Sequence, residues 1–308
     1  MSDQSAAGVA NWASKGSIQR FFARKYLQLL RSALTPSERT KRYDRDADVL
    51  EVSSLLEQQL SARENAPRRG EVPKVIWMLW QQGWDEAPDV VRSCADSFAR
   101  CNPGWDVRLI GETDIAKLAP RYAEVKAPEK LRTATSNMAR LALLEAQGGV
   151  WADATLFCQR PLDDWLPGFV QSGFFVFHKP RPYRQSDIWF LAASKGTPVV
   201  SRWFDLARTY WSCFSFPHHY YWLEYLFELL IENDPEVAHV WDETPRLTGL
   251  APLLVGRNPF AESPPQALAD LLADKKVPVH KLSHKWKAPA NEVKGCAYHL
   301  LTGNLHYA

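Results

Sequence analysis

Nowhere in the 308-residue sequence is there an apolar run of the roughly 18 residues that a membrane-crossing helix needs. The opening stretch, Met1 to Ser17, lacks the charged-then-apolar pattern of a secretory leader, so none is expected. The five cysteines, Cys94, Cys101, Cys158, Cys213 and Cys296, are odd in number and form no C-x-x-C pair or zinc-type spacing. That argues against a disulfide framework, and the expectation is buried, reduced thiols in a cytoplasmic protein. Net charge is only +2, so no nucleic-acid partner is expected. No G-x-G-x-x-G follows the first apolar strand candidate, which weighs against a dinucleotide-binding oxidoreductase. There is no internal repeat and no low-complexity tract.

Tryptophan is abundant, with 13 residues, which agrees with a carbohydrate or base ligand as well as with a large core. Charge is unevenly spread. Residues 1–45 hold nine Lys and Arg against Asp3, Glu38 and Asp44, so the rest of the chain is net acidic. Such a segment suits an anionic partner. Arg20 to Arg31 reads as an amphipathic helix, with Phe22, Tyr26 and Leu29 or Leu30 near one face. Two uses fit it. Its apolar side can lie in an anionic membrane surface, at the inner face of the cell membrane, or it can pack on the rest of the chain. Thr35-Pro36 reads as a stop, residues 48–63 as a second helix, and residues 64–70 as a polar linker. The expected division is a helical segment over residues 1–70 and a main domain over residues 71–308.

From Pro73 onward the pattern alternates strands and helices. Val75 to Trp80 is an apolar run of the kind buried on both faces of a parallel sheet. A helix over 88–100, a strand over 105–110 and a short helix over 113–118 follow. Then come a helix over 135–147 closed by an αL stop at Gly148-Gly149, a strand over 150–157 and another over 173–177. The order predicts an α/β fold of Rossmann-like type, with helical additions toward the C-terminus over 199–211 and 220–232. In the last helix Glu224, Glu228 and Glu232 recur every four residues and are expected to form a solvated face.

Ser136 to Thr155 is the segment that suggests chemistry. Ser136, Asn137 and Arg140 share one helix face, and the following strand delivers Asp153 at its carboxyl end, where open α/β sheets bind ligands. A cation, polar donors and a carboxylate thus converge where a nucleotide diphosphate can sit.

This segment resembles the pattern S-D-x-x-R-x-x-x-L-x-x-x-G-G-V-W-x-D-A-T of the capsular polysaccharide synthesis glycosyltransferases, relatives of glycosyltransferase family 32 with a GT-A fold. Pro73-Lys-Val-Ile-Trp-Met-Leu-Trp80, Asn102-Pro-Gly-Trp105, Pro161-Leu-Asp-Asp-Trp165 and His280-Lys-Leu-Ser-His-Lys285 are similar to further motifs of that family, in the same order. The resemblance implies a sugar nucleotide as donor, a UDP-sugar foremost, and transfer with retention to a surface polysaccharide or lipid-linked glycan. It gives Asp153 a contact with ribose or with a weakly held Mn²⁺ or Mg²⁺, and Arg140 a contact with donor sugar or phosphate. Trp77 and Trp80 would flank the base, with Ser136 beside the donor. Asp187 would touch sugar or acceptor. Any of His280, Lys281 and Lys285 would serve the leaving diphosphate. Two departures stand out. Asn137 replaces an Asp, and Thr155 stands at the second carboxylate position of D-x-D, where a hydroxyl is a poorer metal ligand. They leave open a second expectation, a degenerate relative that binds a nucleotide sugar or a partner without turnover.

Overall fold

The computed structural model describes residues 12–33, 45–63, 71–128, 131–181, 183–286 and 295–303. The expected stop at Thr35-Pro36 and the linker over 64–70 lie outside these residues. Strands β1 (Val75–Leu79), β2 (Asp106–Ile110) and β3 (Gly149–Ala152) are parallel, and β5 (Phe174–Arg181) and β6 (Arg184–Ala193) complete a sheet of order β2-β1-β3-β6-β5. β6 runs antiparallel to both β3 and β5. A second small sheet pairs β4 (Leu156–Cys158) with β7 (Val279–Lys281), antiparallel. The α/β class expected from the sequence is present.

All five residues of β1 are buried, because successive side chains enter opposite layers. Val75, Trp77 and Leu79 join one core, with α4 (Glu112–Leu118), α5 (Arg132–Gln147), α6 (Pro198–Cys213) and α7 (Trp222–Asn233). Ile76 and Met78 join the other, with α2 (Asp46–Ser61) and α3 (Asp89–Cys101). A sheet covered on both faces needs no polar side, which is why β1 reads as one apolar run.

Gly148 and Gly149 both have positive φ, 69° and 97°. With ψ at −162°, Gly148 is not the αL stop expected. The pair instead turns the chain tightly from α5 into β3. A Cβ on Gly149 would stand 2.6 Å from the Val75 carbonyl oxygen, so only glycine lets β3 lie this close to β1.

The expected strand over 150–157 is broken. After Ala152 the Leu156 amide donates to the Asp153 carbonyl at 2.8 Å, and the chain leaves the main sheet to form β4. Strand β6 carried no recognised signal. Its run from Ile188 to Ala193 is buried throughout and shows no alternation to read.

The N-terminal helix α1 (Lys15–Ala33) packs against the first core through Ile18, Phe21 and Phe22. Tyr26, Leu27 and Leu30 face outward. The solvated glutamate face expected on α7 is corrected here. Glu224 and Glu228 are buried, and only Glu232 is well exposed. Lys25 of α1 donates to Glu228, and Arg24 to Glu232. Periodicity identifies a stripe but does not say what covers it. The signal lay in the rest of the helix: Leu223, Tyr225, Leu226, Phe227, Leu229 and Leu230 make every face but the glutamate stripe apolar, as in a helix covered nearly all round.

Among the described residues no helix is long and apolar enough to cross a membrane. All five cysteines are unbridged.

Candidate active site

Because β1 and β3 are parallel, the residues that follow them emerge at the same edge of the sheet. A cavity of about 620 Å³ opens there. Trp80 and Gln81 enter it after β1, and Asp153 and Thr155 after β3. The first half of α5 contributes Arg132, Ser136, Asn137 and Arg140. The antiparallel β6 pairs with the end of β3 at Phe190 and extends beyond it, and from that extension come Arg184 and Asp187. The start of α7 adds Glu224, and Lys281 and Lys285 close the far side.

Arg140 is the centre of the first wall. Its Nη2 donates to Asp153 Oδ1 at 2.8 Å and its Nη1 to Asn137 Oδ1 at 2.6 Å, while the guanidinium lies 4.9 Å from the Trp151 ring centroid. With an amide at 137, Arg140 forms an ion pair with one carboxylate among the described residues, Asp153. Asp153 Oδ1 also accepts from Trp151 Nε1 at 3.0 Å, and Lys281 Nζ stands 3.2 Å from Oδ2. Burial pushes the Asp153 carboxyl up, but Lys281 and Arg140 outweigh it and hold the group below the ordinary carboxylate range.

The opposite wall holds two carboxyls and one cation. Arg184 Nη1 lies 3.4 Å from both Asp187 Oδ1 and Glu224 Oε1. Burial, and then the facing Asp187, push Glu224 up to about 8 against the pull of Arg184. Burial raises Asp187 as well, more than Arg184 lowers it. One guanidinium does not balance two buried carboxylates, so the Asp187–Glu224 pair is biased toward holding a shared proton. The cavity lining carries five cations, Arg132, Arg140, Arg184, Lys281 and Lys285, against three carboxyls, Asp153, Asp187 and Glu224, the last two raised by burial. Its balance suits a polyanion such as a diphosphate.

The structure gathers Trp80, Ser136, Asn137, Arg140, Asp153, Thr155, Asp187 and Lys285 around this cavity. It does not bring Trp77 or His280 there. Trp77 is buried in the core, its indole N–H donating to the Gly148 carbonyl at 2.9 Å, and so cannot flank a base. His280 is fully buried and bonded to Gln159 at 2.9 Å, and burial lowers its pKa to about 3. Its ring is neutral and turned from the cavity. Trp77 is excluded because both faces of β1 are covered by core layers, and His280 is excluded by strand alternation. In β7, His280 points inward, and its neighbour Lys281 reaches the site. Sequence reasoning missed Arg184 and the pairing of Glu224. Both stand on elements whose faces only packing defines, the unrecognised β6 and the covered side of α7.

Asp153 and Thr155, the two positions that would face a metal, are bridged by Lys281, whose Nζ also donates to Thr155 Oγ1. Among the described residues there is no group of three or more His, Cys, Asp or Glu able to hold a metal ion. The side chains in place do not fit a divalent cation, which wants several hard anionic oxygens and no ammonium among them.

Over residues 36–299 the chain matches the family described as capsular polysaccharide synthesis protein. It belongs to that family. It is also 26% identical over 159 residues to O-glycosyltransferase braB of Annulohypoxylon truncatum, a match covering 45% of this chain and 38% of the relative. To glycosyltransferase afumC of Aspergillus fumigatus it is 25% identical over 162 residues, covering 44% of this chain and 40% of that protein. The chain thus spans about two fifths of the length of these curated relatives. Among solved structures it is similar to PaToxG glycosyltransferase, with 16% identity, a TM-score of 0.44, and coverage of 66% of this chain and 84% of the other. That superposition is too loose to bear on function.

Proposed function

We propose that this member of the family is a glycosyltransferase of GT-A type that moves a sugar from a nucleotide sugar to a hydroxyl of a glycan or lipid-linked saccharide, with retention. The donor in this reading is a UDP-sugar. The observation that supports it most is the Arg140–Asp153 pair inside a cation-rich cavity at the joint C-terminal ends of β1 and β3. Transfer requires that the charge growing on the departing diphosphate be met by fixed cations, in a site where they are already oriented. Arg140 is oriented by Asn137, Asp153 and Trp151, and so needs no rearrangement to act. Asp187 and Glu224, on the other wall, would receive sugar or acceptor hydroxyls, one as an acceptor and one as a donor of hydrogen bonds. If the acceptor is lipid-linked, the exposed Tyr26, Leu27 and Leu30 of α1, beside Arg20 and Arg24, would face the anionic cytoplasmic leaflet.

The test is nucleotide release from a panel of UDP- and GDP-sugars by the purified full-length chain, with and without saccharide acceptors. Asp153→Ala is expected to abolish release while the protein stays folded. Wild-type turnover by a folded Asp153→Ala protein would refute the site. Binding of a nucleotide sugar with no release under any condition would favour the second reading, a degenerate binder, for which Asn137 and Thr155 already speak.

A further inference from the structure

The backbone places Lys281 beside Thr155 with little freedom. Leu156 of β4 pairs with Lys281 of β7, and the Leu282 amide donates to the Thr155 carbonyl at 2.9 Å. From that fixed point the side chain reaches the cavity floor, where Nζ donates to Thr155 Oγ1 and stands 3.2 Å from Asp153 Oδ2. Asp153 Oδ1 is meanwhile held by Arg140 and Trp151. Both oxygens of the carboxylate are therefore engaged. A divalent ion bridging residues 153 and 155 would need to sit about 2 Å from their oxygens, in the volume the ammonium fills. The other two carboxyls of the cavity belong to Arg184. Thr155 completes the argument, because a neutral hydroxyl serves an ammonium donor well and a hard dication poorly.

We propose that Lys281 is a resident cation standing in the place of a divalent metal, and that the donor diphosphate is bound and released without a metal. The inference rests on the donor-site reading above. In the transfer, the C1–O bond to the diphosphate breaks with its electron pair going to the phosphate oxygen. The acceptor hydroxyl oxygen bonds to C1, and its proton passes to the departing diphosphate. Lys281 Nζ and Arg140 meet the charge that this places on the leaving group. Asp153 holds both cations in position and leaves the trio with a net positive charge for the phosphates.

The experiment measures binding of UDP to the full-length chain by titration calorimetry in excess EDTA and in MnCl₂, for wild type, Lys281→Met and Lys281→Arg, with thermal melting as a fold check. The wild-type Kd is expected to change by less than about twofold between the two conditions. In EDTA, Lys281→Met should weaken binding by about tenfold or more, since a desolvated cation is lost from the phosphate site. Lys281→Arg should stay insensitive to EDTA. In Lys281→Met, Mn²⁺ should restore part of the affinity, because the Asp153 oxygen that Lys281 occupied becomes open to it. A wild-type affinity that falls about tenfold in EDTA overturns the proposal, as does a folded Lys281→Met protein that binds UDP as tightly as wild type. If neither variant folds, the wild-type comparison still decides. Failure of UDP, GDP and CDP to bind wild type in either condition instead removes the nucleotide-donor reading itself, and this inference with it.

Discussion

Replacing Gly149 by alanine is expected to destabilise the protein severely, although Gly149 touches no ligand. Two effects add. At a φ of 97° an L-residue is strained, at a cost of about 1–2 kcal/mol. The new methyl would also stand 2.6 Å from the Val75 carbonyl oxygen and 2.5 Å from its Cγ1, and 3.2 Å from Trp77 Nε1. The Val75 carbonyl is β1 backbone and cannot move without opening the β1–β3 ladder, so the overpacking adds about 1–3 kcal/mol. The sum, roughly 2–5 kcal/mol, corresponds to a fall in Tm of roughly 3–8 °C for a chain of this size. Gly196→Ala isolates the first effect. Its φ is 72°, and nothing lies within 4 Å of the added methyl, so a loss of only about 1 kcal/mol is expected. Urea unfolding of both variants, with m unchanged, gives the difference directly. Equal losses in the two proteins, or a Gly149→Ala loss below about 1 kcal/mol, would refute the close-approach argument.

Arg140→Lys keeps the charge but not the planar fork that reaches Asn137 and Asp153 together, so nucleotide release should fall by about tenfold or more, measured at saturating donor. Glu224 is raised in the folded state to about 8, so the folded protein binds more protons than the unfolded chain between its ordinary carboxylate value and that one. Stability should therefore decline as pH rises through that window. Glu224→Gln should flatten the decline by a few kcal/mol in urea titrations from pH 5 to 9, and an unchanged slope would place the proton elsewhere. Replacing the exposed Tyr26, Leu27 and Leu30 together by serine should leave Tm within a few degrees of wild type and reduce cosedimentation with anionic vesicles at low salt. Undiminished cosedimentation would show that α1 serves only to pack on the domain.

By itself the sequence determined the alternation of strands and helices, the two-sided burial of β1, and the convergence of Arg140, Asn137 and Asp153. These follow from short-range facts. A continuous apolar run, a helix face counted in threes and fours, and a carboxylate at a strand end are each legible within about twenty residues. The tertiary structure alone decided which of two neighbouring side chains entered the cavity. His280 and Lys281 differ by one position in β7, and only the pairing of β7 with β4 sets which points in. Packing also placed Trp77, since layers on both sides of the sheet bury both faces of β1, and Glu224 and Glu228, whose stripe was covered by α1 and the β6 strand. Each depends on contacts between residues far apart in the chain, such as the 203 positions between Lys25 and Glu228 or the 126 between Thr155 and Lys281, and no local pattern encodes such a contact.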